Sequence, residues 1–110
     1  MTEVIHLPMT AEHIARAILA ACRLTEEKPL AVAARERGTH ASRARCYAFE
    51  ALVDLFPEER PNLIAYRVGF NANYEAKREV LRARKALWWS DAHLKKVMLA
   101  VRYGTRRVAA

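Results

Sequence analysis

Apolar residues in this chain recur three and four positions apart, and nowhere do they alternate with period two for more than a few residues. A repeat near 3.6 gathers side chains on one face of a helix, whereas strands need alternation, so the fold class expected is all-α. The 110 residues, 53% of them apolar, suffice for one compact domain with a modest core. No apolar run approaches the ~20 residues of a membrane span, and Met1-Thr2-Glu3 lacks the basic cluster of a secretory signal. The expectation is a small soluble domain in the cytoplasm.

Local signals divide the chain into about six helices. Thr10 caps a first helix that ends near Leu24, with Ile14, Ile18, Ala21 and Cys22 at helical spacing. Thr25 starts a short second helix, favoured by Glu26 and Glu27, packed by Leu30, Val32, Ala33 and Ala34, and ended by Gly38. The third, over 39–56, carries one apolar stripe of Ala44, Tyr47, Ala48, Ala51, Leu52 and Leu55, with Arg43, Arg45, Glu50 and Asp54 off it. Pro57 stops it, Asn62 caps a short helix over 63–68, and Gly69 closes that one. A fifth helix over 73–86 turns Ala76, Val80, Ala83 and Leu87 inward. Ser90 caps a last helix that reaches about Tyr103, with Leu94, Val97, Met98, Val101 and Tyr103 in the core. Residues 1–9 form an extension, 10–103 the domain and 104–110 a basic tail holding Arg106 and Arg107.

Catalysis has little to work with. Cys22 and Cys46 sit among alanines in helical patterns, where free cysteine acts as a small hydrophobe. His6, His13, His40 and His93 have no metal-ligand spacing, so neither a metal site nor a cofactor is expected. The pairs Glu26/Glu27 and Glu58/Glu59 suit a helix start and a linker, and Ser42 and Ser90 lack a nucleophile context. The chain does not read as an enzyme and implies no small-molecule substrate.

Charge placement is more telling. Residues 1–61 hold eight Lys/Arg against nine Asp/Glu, while residues 62–110 hold eleven against three. The net +7 therefore belongs wholly to the second half, as in a near-neutral scaffold bearing a face for a polyanion. Arginine outnumbers lysine fourteen to five, which favours bidentate contacts to phosphate and guanine.

Residues 62–85 have the layout of a helix-turn-helix: a short helix, a turn with glycine, then a longer basic helix. Ala65 permits close approach where the helices cross, and Gly69 tolerates a positive backbone angle. Ile64 and Ala76 stand twelve positions apart, so the turn is longer than the compact form. Lys77, Arg78, Arg82, Arg84 and Lys85 face the duplex, with Asn71, Asn73 and Tyr74 near the start of the second helix. For Tyr74 itself, packing against the third helix is the favoured role. Trp88 and Trp89, being adjacent, point apart, so at most one is fully buried.

The stretch Ala44-Arg45-Cys46-Tyr47-Ala48-Phe49-Glu50-Ala51-Leu52, followed by Ile64-Ala65-Tyr66-Arg67-Val68-Gly69, resembles the C-terminal DNA-binding domain of the DnaA replication initiators. That family carries an Ala-Arg-x-x-Ala helix and an Ile-Gly-x-x-Phe-Gly segment; the likeness covers roughly residues 30–85. It implies a basic loop in the minor groove, where Arg35 and Arg37 would fall. The family's Arg-Asp-His-Ser-Thr signature is replaced by Asn71-Ala72-Asn73-Tyr74-Glu75, which implies that this chain does not recognise the initiator's box. A nucleotide-binding Gly-x-x-x-x-Gly-Lys is also absent. In being short, basic and motorless, the chain is similar to the gene transfer agent activators of the GafA and GafY type. That likeness implies a transcription activator engaging double-stranded DNA, RNA polymerase and a partner activator subunit in the bacterial nucleoid, away from membranes.

The DNA-binding residues expected are thus Arg35, Arg37, Asn71, Asn73, Tyr74, Lys77, Arg78, Arg82, Arg84 and Lys85. About six phosphate contacts would cost roughly three decades of affinity between 50 and 200 mM salt. Two alternatives stand beside this reading. One is a helical adaptor docking its basic face on an acidic partner such as a polymerase or sigma subunit; the other is a dimeric antitoxin or phage repressor.

Overall fold

The computed structural model describes residues 8–34 and 39–104, which form six helices and no strand. Thr10 opens the first, Ala11–Thr25 (α1). Its hydroxyl accepts the His13 N–H at 3.3 Å, and the His13 ring accepts the Thr10 N–H at 3.0 Å, so histidine completes a capping box in which glutamate is usual. Thr25 does not start the second helix. It ends α1, its hydroxyl bonded back to the Ala21 carbonyl at 2.8 Å, and Glu26 takes the left-handed conformation (φ 59°) that stops the helix. Pro29, with its φ preset for a first helical position, opens Pro29–Ala33 (α2) instead.

Thr39–Leu55 (α3) is the centre of the molecule and packs against all five other helices. Six consecutive residues, Ala44 to Phe49, are buried, so the expected single stripe is too narrow a description. Over this segment the helix is enclosed on all sides, so Arg45 has no solvated face to occupy, while His40 and Asp54 nearer its ends reach solvent. Its many alanines keep it thin enough for neighbours to approach. Leu55, expected inside, is only half-buried at the helix end.

Phe56 and Pro57 lead into Pro61–Arg67 (α4), with Arg60 as N-cap and Pro61 in the first turn. Asn62 therefore does not cap this helix. Asn73–Arg84 (α5) follows, then Asp91–Tyr103 (α6), whose Ser90 cap accepts the His93 N–H at 3.2 Å as expected. Two core expectations fail near these ends. Leu87 is fully exposed because α5 stops at Arg84 and the chain turns before it. Tyr103 is 69% exposed at the last residue of α6.

One apolar core runs from Ile14 to Val101, with Leu52, Ile64, Val68 and Val97 fully enclosed. Cys22 and Cys46 belong to it as free thiols. Burial pushes them up to about 11 and about 12 respectively, which keeps both protonated and unreactive at neutral pH. Trp88 and Trp89 are both half-buried, and both rest on Tyr47. The Tyr47 ring stacks on Trp89 (4.5 Å, 12°) and meets Trp88 edge-on (5.7 Å, 75°). The Tyr47 hydroxyl donates to the Trp88 carbonyl at 3.2 Å and accepts the Ser90 N–H at 2.8 Å, fastening the α5–α6 connection to α3. Among the described residues, no helix is long and apolar enough to cross a membrane.

Candidate nucleic-acid interface

The α4–turn–α5 unit is built around close backbone approach. Ala65 on α4 and Ala76 on α5 are both fully buried, and a larger side chain at either would push the helices apart. After α4, Gly69 adopts φ +109°, which side chains rarely tolerate. Space forbids one as well: a Cβ there would lie 2.6 Å from Arg45 Nε and 3.1 Å from the Val32 carbonyl oxygen. Phe70 then turns inward, 3% exposed, and meets Phe49 edge-on at 6.0 Å. The turn is thus pinned to α3 from within.

Arg45, expected off the apolar stripe, is the inner support of that turn. It is 6% exposed, and its Nη2 donates to the Ala31 carbonyl at 3.3 Å. Its long stem fills the space between α2 and the turn while the guanidinium reaches backbone oxygen. An arginine inside a helical pattern reads as surface, so periodicity alone points the wrong way.

The N-terminus of α5 is secured from the neighbouring helix. Ala72 occupies the N-cap and has no side chain to offer. Asn62 of α4 caps the helix in its place, its Oδ1 accepting the Asn73 N–H at 2.9 Å. Glu75 Oε1 accepts the Asn71 N–H at 3.2 Å. Asn73 is itself half-buried, and its Oδ1 is enclosed without a hydrogen-bond partner among the described residues. That oxygen faces protein rather than reaching outward.

The outward face of α5 follows from its pitch. At about 100° per residue, Tyr74, Arg78, Leu81, Arg82 and Lys85 fall within an arc of about 100°, opposite buried Ala76, Val80 and Ala83. All five are exposed. Tyr74, 71% exposed, does not pack on α3; its ring lies 5.8 Å beneath the Arg78 guanidinium. Arg82 reaches Glu79 at 3.4 Å yet keeps 71% of its side chain in solvent, where such a pair holds little energy. Arg78 and Lys85 have no ion pair among the described residues.

Two expected members leave the face. Lys77 is exposed but stands on the flank, about 100° round from Arg78. Arg84 is turned toward α3, where it pairs with Glu50 and covers Trp89 at 5.5 Å. Asn71 is exposed in the turn. Arg35, Arg37, Gly38 and the tail residues Arg106 and Arg107 lie outside the described residues. Two contributors escape a reading by composition, Asn62 as a cap across the turn and Arg45 as its inner support. The only sequence hint of the first is the lack of any capping side chain at Ala72.

Compared with known proteins, the chain matches no protein-family model, no curated protein and no solved structure.

Proposed function

We propose that this protein is a double-stranded DNA-binding transcription regulator that lays α5 in the major groove with α4 as its supporting helix. The reading is carried by the exposure of Tyr74, Arg78, Arg82 and Lys85 on one side of α5, diametrically opposite the residues that hold the helix to the core. Tyr74 and Arg78 lie in the first two turns, where a recognition helix meets base edges, and the ring beneath the guanidinium limits its wandering. Arg82 and Lys85 follow one and two turns later and neutralise phosphates. Arg35 and Arg37 supply a minor-groove contact by resemblance to the DnaA domain. By the same resemblance, the protein activates gene transfer agent or phage-like genes with a partner subunit and RNA polymerase.

The test is Arg78→Ala in a mobility-shift titration at low salt. Arg78 is exposed and outside the core, so thermal stability stays unchanged while affinity falls at least about tenfold, as for the loss of one good base contact. Equal binding by variant and parent refutes the assignment. Sequencing the genomic fragments that the chain retains identifies the site.

A further inference from the structure

A groove of about 490 Å³ lies on the flank of α5, between it, α3 and the start of α4. Phe49 and Val80, 3% and 5% exposed, form its floor, and half-buried Val53 continues it. Leu81 forms a wall with 64% of its surface in solvent, a large apolar side chain among the charged residues of this flank. Lys77 and Arg84 stand on the rim. Lys77 has no ion pair among the described residues, and Arg84 is only partly satisfied by Glu50, its side chain 43% exposed.

We infer that this groove seats an acidic amphipathic helix of another protein, apolar side chains on Phe49, Val53, Val80 and Leu81 and carboxylates against Lys77 and Arg84. Three observations select that occupant. Leu81, Lys77 and Arg84 are all exposed, so the walls do not enclose the space as they would around a small ligand that buries most of its surface. An open apolar trough beside a helix is instead the form that takes a helix lengthwise. The charged groups of the lining are Lys77, Arg84 and one carboxylate, Glu50, which Arg84 engages, and the chain as a whole carries +7, so an acidic segment complements this contact better than a second copy does. Lys77 and Arg84 stand about 100–120° round α5 from Arg78, while Leu81, about 60° from it, sits where the groove meets the outward face. The inference does not depend on DNA binding, and its test contains no DNA.

The probe is a fluorescein-labelled peptide of about 18 residues with leucine at i, i+3, i+4 and i+7 and glutamate elsewhere, titrated into the full chain by anisotropy. Saturable binding is expected. Leu81→Asp and Lys77→Glu, both at exposed positions, each weaken it at least about tenfold, while Arg78→Ala stays within about twofold of the parent. Amide shift mapping on the parent places the peptide at Val53, Val80 and Leu81, which keeps the test valid should a variant fold poorly. Absence of saturation overturns the inference, as does equal binding of a lysine-for-glutamate peptide or shifts confined to other helices. So does a Leu81-dependent dimer in light scattering, or dodecanoate filling the groove when the peptide does not.

Discussion

Replacing Gly69 by alanine concentrates the physics of the turn in one substitution. At φ +109° an L-residue is strained by about 1–2 kcal/mol. The added Cβ also meets Arg45 Nε at 2.6 Å, and Arg45 is buried, so displacing it costs about a further 1 kcal/mol or more. A total of about 2–3 kcal/mol lowers the melting temperature of a domain this size by roughly 10–20 °C, read by circular dichroism at 222 nm. Gly104→Ala is the internal comparison. Its φ is also positive, at +84°, but the nearest atoms to a Cβ there belong to Arg16 at 3.8 Å, so only backbone strain remains. The two substitutions therefore differ by the crowding at Gly69, chiefly from Arg45 with the Val32 carbonyl oxygen beside it. In Arg45→Ala, which removes the Arg45 overlap, Gly69→Ala costs less than in the parent, a coupling of about 1 kcal/mol in the double-mutant cycle. A Gly69→Ala melting temperature within about 3 °C of the parent, or strict additivity with Arg45→Ala, refutes this account of the turn.

Other outcomes follow from the same contacts. Tyr47→Phe strands the Trp88 carbonyl and the Ser90 N–H, costing about 1–3 kcal/mol by urea unfolding; an unchanged midpoint removes the hydroxyl from the account. Burial raises the Cys22 and Cys46 thiols, and Tyr47 moves upward with them for the same reason. Above about pH 9 the unfolded chain therefore loses protons that the folded chain keeps. Stability is full below that pH and drops by roughly 3 kcal/mol per pH unit as both thiols titrate in the unfolded state alone, up to about 11. Urea midpoints that stay level from about pH 8 to 10.5 contradict it. With Lys77 on the flank and Arg84 held by Glu50, the outward face of α5 offers three cations, Arg78, Arg82 and Lys85. The salt dependence of DNA binding from this helix then has a slope of about −2.7, roughly one and a half decades between 50 and 200 mM rather than three; a slope shallower than about −1 denies these cations their phosphates.

What could be read in advance is what neighbours in the chain decide. Thr10 and Ser90 cap because their hydroxyls reach an N–H three residues on, and α3 ends just before Pro57 because proline cannot continue it. Gly69 reads as a positive-φ turn because little else adopts that angle cheaply. Thr25 is misread over a few residues, but the misreadings that matter to the site involve partners far along the chain. Arg45 is inside because α2 and the turn close over it. Asn62 serves a helix that begins eleven residues later, and Arg84 answers to Glu50, thirty-four positions before it. Leu87 faces solvent because Trp88 and Trp89 take the places against Tyr47. Periodicity marks which residues could share a face, but only the assembled neighbours determine which are covered. The candidate site was therefore legible as a helix and a charge, while its membership was not.

The clasp between Asn62 and the start of α5 has a consequence for how such a protein can change. The side chains that hold this helix in place, Ala76, Val80 and Ala83 beneath it and Asn62 beside it, are all different from those it presents to the outside. Tyr74, Arg78 and Lys85 can be exchanged without disturbing anything that anchors the rod. A lineage built on this frame is free to rewrite its outer surface one residue at a time and still inherit the same angle of presentation.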